Sequence, residues 1–415
     1  MRVLVIGGGI IGVTTAYSLR QRGLEVTVLE RNAGVAQEAS FANAGVIAPS
    51  YAAPWAQPGM PKKVLAQLFR RDAAVVFRPT RDRALWRWLR QWYRECELER
   101  FARNKARMQR LASYSRAQLH EVAARHAIDY EQARGYLQLF RNADELERNA
   151  PARKVLQDLG ASFRQLTETE CRQIEPTLTE ATPLAGGVYM PDDESGNCAY
   201  FARRLKEICE GDGVEFRFGA RVTGLTTGRG RIESVQTADG PLPADAYVLA
   251  AGCDSAQLLT GTGIDVPLYP VQGYSATAQI TRHEHAPLLS IMDETYKVAV
   301  TRLGNRLRVA GIAEIGKRAP TLRTASLRTL LRVAQDWFPA AASWSSAQYW
   351  VGARPMLPDG PPLLGATPLS NLYLNIGHGS TGWAMACGSG QVLADVVTGR
   401  APAIDLDGLT LARYH

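Results

Sequence analysis

The chain reads as an α/β fold, α+β overall, and three observations carry that reading. Residues 2–6, "RVLVI", form a short apolar run of the kind found in a buried parallel strand, and a helical pattern over 13–22 follows. The middle of the chain carries strands of alternating apolar and polar residues, which implies mixed parallel and antiparallel pairing. The last 45 residues then return to strand, glycine loop and helix in "NLYLNIGHGSTGWAMACGSGQVLADVV".

Between the first strand and the first helix lies Gly7-x-Gly9-x-x-Gly12, with Ile10 and Ile11 at x positions. Its glycines permit a tight turn, close backbone approach to a pyrophosphate and close helix-to-strand packing, while the helix N-terminus offers free N–H groups to phosphates. Alone the pattern is weak. The next apolar run, "EVTVLE", ends on Glu30, 18 residues after Gly12, where a carboxylate can accept from ribose hydroxyls. A bound dinucleotide is the reading this context supports; a glycine-rich turn in an empty α/β fold is the alternative. Glu30 argues against a 2′-phosphate, although Arg31 beside it weakens that point.

Further along, a loop and a proline-punctuated stretch ("YAAPWAQPGMP") precede residues 82–126, which look helical with Leu85, Trp88, Leu89 and Trp92 on one face. Residues 135–140 read as a strand and 201–213 as a helix closed by glycine. "GRGRIESVQTADG" reads as a hairpin, "AYVLAAG" as an apolar strand stopping at Gly252, and "KVAVTRLGNRLRVAG" as a hairpin through Leu303-Gly304-Asn305. A second G-x-G-x-x-G at Gly377, Gly379 and Gly382 lacks a following strand that ends in an acid, since Asp395 falls inside the next helix. It fits a loop pressed against the far end of the first nucleotide better than a second nucleotide site.

Length and composition set bounds. At 415 residues with 46% hydrophobic and 21% charged residues, the chain can bury a core over two or three domains. Six cysteines without a C-x-x-C pair or zinc-ligand spacing suggest a reducing, cytosolic interior and no metal. No apolar run is long enough to span a bilayer, and glycines interrupt the apolar start, so no targeting peptide is assigned. The net charge of +8 is uneven: residues 62–126 hold 17 Lys or Arg against 6 Asp or Glu, an excess of +11 that leaves the remainder at −3. That segment, with Trp86, Trp88, Trp92, Arg83, Arg87, Arg90 and Arg94, is either an interfacial helix on anionic lipid or a core-facing helix with a solvated basic side. No recognised module accompanies the charge, so nucleic-acid binding is not expected.

The glycine fingerprint with Glu30, together with "SFANAG" (40–45), "YPVQGYS" (269–275), "DETYKVAVTR" (293–302), "ARPMLPDGPPLLG" (353–365) and "NIGHGSTGWAMACGSG" (375–390), resembles the FAD-dependent D-amino acid oxidase superfamily. Within it the chain is most similar to the bacterial D-amino acid dehydrogenases of small-subunit type. The resemblance implies that the dinucleotide is FAD. It also implies a discontinuous Rossmann-like FAD-binding domain (1–80, 146–262, 349–415) and a substrate domain with a mixed or antiparallel sheet (81–145, 263–348). Carried over by motif, Gly7, Gly9 and Gly12 would hold the pyrophosphate and Glu30 the adenosine ribose. Ser40, Asn43, Ala44 and Gly45 would line the cofactor, Val222 would lie at the adenine and Gly252 near the phosphates. Gly377, His378, Gly379, Thr381 and Gly382 would approach the flavin. Two departures stand out: Gln272 replaces the Lys of a "KGYS" form, with a consequence expected for the pocket's charge, and "GGG" replaces "GSG" in the fingerprint.

The implied reaction passes the Cα hydride of a D-amino acid to flavin N5, leaving an imino acid that water hydrolyses to a 2-oxo acid and ammonia. Arg354 is the candidate carboxylate clamp, since a guanidinium can pair both oxygens. Tyr274 and Tyr296 are candidate pocket walls or hydroxyl donors, with core packing as the alternative. His378 fits a cofactor contact better than a catalytic base. The resemblance further implies a respiratory quinone or other acceptor, and a cytoplasmic protein loosely held on the inner face of the bacterial membrane. An oxygen-using oxidase of D-amino acids, glycine or secondary amines such as D-proline is the nearest rival, and a flavin-bound protein without turnover a more distant one.

Overall fold

A computed structural model describes residues 1–67, 73–78, 80–316 and 319–414. Arg2–Ile6 lies inside a six-stranded sheet, flanked in parallel by Ala246–Leu249 and Glu25–Glu30. Glu215–Phe218 extends one side and Leu372–Ile376 the other, both parallel, and Leu363–Ala366 closes that edge antiparallel. Val3, Val5, Val26, Val28 and Val248 are buried beneath helices, which is why these strands are rich in apolar residues.

Helices Ile10–Gln21, Cys198–Gly211 and Gly382–Val397 cover one face of this sheet. On the other face Ile232 and Val235, from a three-stranded antiparallel sheet (Gly224–Gly228, Arg231–Thr237, Gly240–Leu242), pack on Leu4, Ile6 and Leu249. Gly382–Val397 is wedged between Ile10–Gln21 and the long helix Leu98–Arg125. The wedge depends on glycine. A Cβ on Gly388 would stand 2.8 Å from Ser115 Cα, and one on Gly390 2.7 Å from Thr14 O. Asp395, near the end of that helix, pairs with Arg22 at 2.5 Å, so it serves the helix packing rather than a second nucleotide.

A ten-stranded sheet forms the second lobe. Its order is Gln348–Met356, Tyr269–Gln279, Arg306–Ile315, Val298–Leu303, Ser290–Asp293, Ala133–Phe140, Gly186–Ser195 and Val46–Ile47, with Val75–Phe77 beside Arg306–Ile315 and Arg164–Leu166 beside Gly186–Ser195. The hairpin at Leu303-Gly304-Asn305 forms as its sequence predicts, Leu303 opposite Arg306. Helix Thr324–Trp337 seals the back face, packing Leu330, Val333 and Trp337 with Val298, Val300, Leu307 and Val309.

Two expectations meet differences. Residues 82–126 form two helices, Arg83–Arg94 and Leu98–Arg125, because they serve different cores: Leu85 and Trp88 pack on the ten-stranded sheet, Met108 and Leu111 on Gly382–Val397. One straight helix could not bury both sets. Sheet pairing also crosses the expected domain limits, since Val46–Ile47, Val75–Phe77, Arg164–Leu166 and Gly186–Ser195 join the ten-stranded sheet while Leu98–Arg125 packs on the first lobe. Edge strands must find hydrogen-bond partners wherever the chain passes a sheet.

Overpacking the wedge has a calculable result. Gly388→Val should lower the unfolding free energy by about 1–3 kcal/mol in denaturant titration. Gly211→Ala, in open space at the end of its helix, should not lower it.

Candidate active site

A cavity of about 1290 Å³ runs between the two lobes. At one end it is built from the turn after the first strand. Gly7 has φ +112°, and a Cβ there would lie 2.5 Å from Ala250 O. A Cβ on Gly12 would fall 1.8 Å from Gly7 O, so Gly12 is required for packing the helix on the turn and does not itself line the cavity. Gly9, Ile10 and Ile11 do line it, at a helix start with no side-chain cap. Ser40 Oγ accepts from Ile10 N at 3.1 Å.

Glu30, buried at the end of its strand, accepts from Gly8 N at 2.7 Å through Oε2 and from Asn32 N at 2.7 Å and Nδ2 at 2.8 Å through Oε1. Its neighbour Arg31 pairs with Glu38 at 2.9 Å and with Asp254, so its charge is already spent. Val222 and Gly252 complete this end.

Toward the other end lie Asn43 and Ala44, with Gly377, His378, Gly379, Thr381 and Gly382. Gly45 is set back, its carbonyl accepting from Gly196 N at 2.8 Å. Burial pushes the His378 imidazole down to about 3, and its Nε2 lies 2.9 Å from Ser389 Oγ. A histidine so placed is uncharged at neutral pH, with one ring nitrogen engaged by Ser389.

The front face of the ten-stranded sheet bounds the rest. One register row crosses six strands as Gln138, Met292, Ala299, Ala310, Ser275 and Trp350. Its centre is small, leaving a slab of space between the sheet and the glycine loop. Arg354 projects over Gly273, where a Cβ would lie 2.4 Å from the guanidinium. Its Nη1 donates to the carbonyls of Gln272 at 3.2 Å and Ile312 at 3.0 Å, and its Cζ lies 6.0 Å from the centre of the Trp55 ring. No carboxylate pairs with it among the described residues. Desolvation pushes it down to about 10, still protonated at neutral pH.

Three residues lie elsewhere than the sequence suggests. Tyr274 borders the cavity, but strand alternation turns its side chain to the back face, where it joins the core of Ala276 and Trp337 and its hydroxyl donates to Glu314. Tyr296 does not line the cavity at all: its ring stacks against Arg332, at 4.5 Å, and Arg141, at 4.9 Å. Gln272, opposite Glu314 on the back face, donates to Ala319 O at 2.6 Å, so the substitution there leaves the cavity charge unaltered.

Other lining residues had no sequence signal of their own. Tyr136 and Gln138 come beside Glu294 only because strands pair, and Tyr51 reaches Lys297 from a turn. Arg308, beneath the cavity, donates to Asn43 O at 3.1 Å and holds the 40–45 loop.

The residues fit FAD. An uncapped helix start among glycines suits a pyrophosphate, a buried carboxylate at the second strand's end suits a ribose, and the slab of small side chains suits a flat ring. The buried imidazole gives a stability test. Because the folded His378 sits at about 3 against an ordinary 6.5, the unfolded chain alone binds the proton between those values. This contribution is complete above pH 6.5 and is lost as pH falls toward 3, by at most about 1.4 kcal/mol per pH unit. His378→Gln should therefore flatten the acid limb of Tm against pH over that window.

Comparison with known proteins agrees. The family described as FAD dependent oxidoreductase, DAO, matches residues 2–396. The chain is 45% identical to a D-amino acid dehydrogenase of Granulibacter bethesdensis and 46% identical to one of Methylobacterium radiotolerans, each over 100% of both chains. In fold it is similar to the glycine oxidase of Geobacillus kaustophilus, with TM-score 0.78 and 22% identity over 99% of both chains. With that match running through the glycine turn, the sheet row and the 377–382 loop alike, the chain belongs to the DAO family of FAD-dependent oxidoreductases.

Proposed function

We propose that the protein oxidatively deaminates D-amino acids to 2-oxo acids and ammonia as a D-amino acid dehydrogenase, the name its relatives at 45–46% identity carry. The observation that carries the reading is Arg354: a guanidinium facing the cavity that meets, among the described residues, two backbone carbonyls and the Trp55 ring but no carboxylate is an anion site awaiting one. FAD supplies the two-electron acceptor for the Cα hydride. Arg354 fixes the substrate through its carboxylate, and Gly273 makes room for that side chain. Ala299 and Ala310, small side chains on the cavity wall, would leave room for a substrate beside a bound flat ring. His378, uncharged and with Nε2 engaged by Ser389, is a poor candidate for the proton acceptor. Water then attacks the imino carbon, and ammonia leaves.

In this reading the first sheet with its helices holds FAD through Gly7, Gly9, Ile10, Ile11, Glu30, Ser40, Asn43, Ala44, Val222, Gly252 and the 377–382 loop, and the ten-stranded sheet presents the substrate side. Gly12 and Gly45 act through packing. Arg31 acts at the rim.

The electron acceptor is a respiratory quinone, reached from a membrane surface on the cytoplasmic side. Support comes from helix Arg83–Arg94, whose inner face is Leu85 and Trp88 and whose outer face exposes Arg83, Trp86, Arg87, Arg90, Tyr93 and Arg94. Trp88 and Trp92, expected at the lipid, instead stack on each other at 6.3 Å against the core, so Trp86 and Tyr93 are the aromatic contacts. Residues 68–72 and 79 of the basic segment 62–126 lie outside the described residues. No described helix is long and apolar enough to cross a membrane.

Anaerobic mixing with D-alanine should bleach the flavin, and Arg354→Ala should lower kcat/KM by about 100-fold or more with FAD retained. A flavin left unbleached by a panel of D-amino acids, or an unchanged KM, refutes the assignment. Stoichiometric peroxide in air would make oxygen the acceptor. Sedimentation with vesicles of anionic lipid should carry the protein down at low salt, and the Trp86→Ser/Tyr93→Ser pair should weaken it. Equal recovery in the supernatant with and without vesicles speaks against membrane contact.

A further inference from the structure

We propose that Lys105 and Asp193 are positioning residues for the deamination: together they fix the turn at residues 48–52, and through it they set Tyr51 and Trp55 as walls of the substrate cavity. The inference rests on the D-amino acid reading of that cavity.

Regular structure ends at Ile47. Val46 lies opposite Ser195 and Ile47 opposite Glu194, and there the ladder stops. Ala48 O then accepts from Tyr51 N at 3.1 Å and from Ala52 N at 2.9 Å, which closes a turn. Ser50 and Ala52 are buried in it, and their carbonyls have no strand or helix to answer them. Buried backbone groups have to be paired, so the turn needs donors from elsewhere.

Lys105 provides them. It lies on helix Leu98–Arg125, only 3% exposed, and its Nζ donates to Ser50 O at 2.9 Å and to Ala52 O at 3.4 Å. Asp193 holds the rest of Ser50, its Oδ1 accepting from the amide at 3.4 Å and from Oγ at 3.3 Å. Arg116, on the same helix as Lys105, stands 3.7 Å from that oxygen. Burial pushes the Lys105 ammonium down to about 8 and the Asp193 carboxyl up to about 7, each opposed by the other's charge. Ser50 is thereby gripped through carbonyl, amide and hydroxyl, at a desolvation cost that an unconstrained turn would not carry.

What the turn presents is cavity wall. Tyr51 lines the cavity, its ring centre 5.8 Å from Lys297 Nζ and 5.4 Å from the Tyr136 ring. Trp55, three residues past Ala52, lines it too, and its ring centre lies 6.0 Å from Arg354 Cζ. Between them Pro54 presses on the Gly360 loop, where a Cβ would stand 2.5 Å from Pro54 Cβ and 3.1 Å from Met108 Sδ. One helix therefore secures this short segment twice, through Lys105 at the turn and through Met108 beside Pro54. A turn set loose moves Tyr51 directly and slackens the wall next to Arg354.

Steady-state kinetics of the FAD-bound enzyme with D-alanine test this. Lys105→Met should raise KM about tenfold while kcat stays within about twofold and FAD remains bound, because a loosened wall weakens substrate binding without touching the reacting groups. Combined with Tyr51→Ala, it should lower kcat/KM by less than the product of the two single losses, since both act on one turn. Ser50→Ala, which removes only the hydroxyl held by Asp193, should raise KM about twofold to threefold and reads the same contact should Lys105→Met fold poorly. Losses that multiply in the double variant overturn the proposal, because Lys105 would then act on the ligand independently of the turn. So does a lowered Tm with KM unmoved in both single variants, which would leave Lys105 a structural residue only. A wild-type enzyme that oxidises no D-amino acid removes the functional reading and this role with it; turnover with KM unmoved removes the positioning role alone.

Discussion

The parallel pairing of Arg2–Ile6 with Ala246–Leu249, and of that strand with Leu372–Ile376, is the contact on which both lobes depend. Val5 lies opposite Val248, and Val248 opposite Tyr373, so three segments separated by more than a hundred residues share one buried hydrogen-bonded ladder. The loops leaving the C-terminal ends of those strands are the ones that carry Gly7–Gly12, Gly252 and Gly377–Gly382. Strand ends in such a sheet are where ligands bind, because helix starts and free backbone groups converge there. The wedge at Gly388 and Gly390 serves the same arrangement by pressing the last helix onto the first.

Electrostatics then divide the cavity. At the nucleotide end, Arg31 is neutralised by Glu38 and Asp254, which leaves helix dipole and backbone N–H groups to meet the phosphates. Beneath the opposite wall, Glu294 and Lys297 cancel each other. Arg354 stands between these regions without a carboxylate partner among the described residues, and a desolvated cation so placed binds an anion better than a paired one. Neutral His378 fits the same pattern, since a charged imidazole in that buried loop would have no carboxylate to pair with among the described residues.

Helix Arg83–Arg94 links the cavity to the surface. Its inner residues join the lining of the cavity, with Trp88 Nε1 donating to Met356 O at 3.0 Å, two residues from Arg354. Its outer face presents arginines beside Trp86 and Tyr93. An element amphipathic in this way can be held by the core and still offer a basic aromatic face to a lipid headgroup layer.

Local signals were sufficient for much of this. The glycine turn, the acid at Glu30, the Leu303-Gly304-Asn305 hairpin and the C-terminal strand–loop–helix all depend on neighbours in the chain, so short-range patterns announce them. The split of residues 82–126 into two helices did not announce itself, because the break answers to two separate cores. Side-chain direction was equally hidden. Tyr274 and Gln272 sit in a motif that borders the cavity, yet strand alternation and a register shift between them send both side chains to the back face. Tyr136 and Gln138 carry no motif, and only pairing with Ser290–Asp293 brings them to the cavity wall. Sequence alone determined the nucleotide-binding turn and the class of fold, because those rest on local backbone geometry; tertiary structure alone decided which polar groups face the cavity, because strand register and sheet face are set by partners far away in the chain.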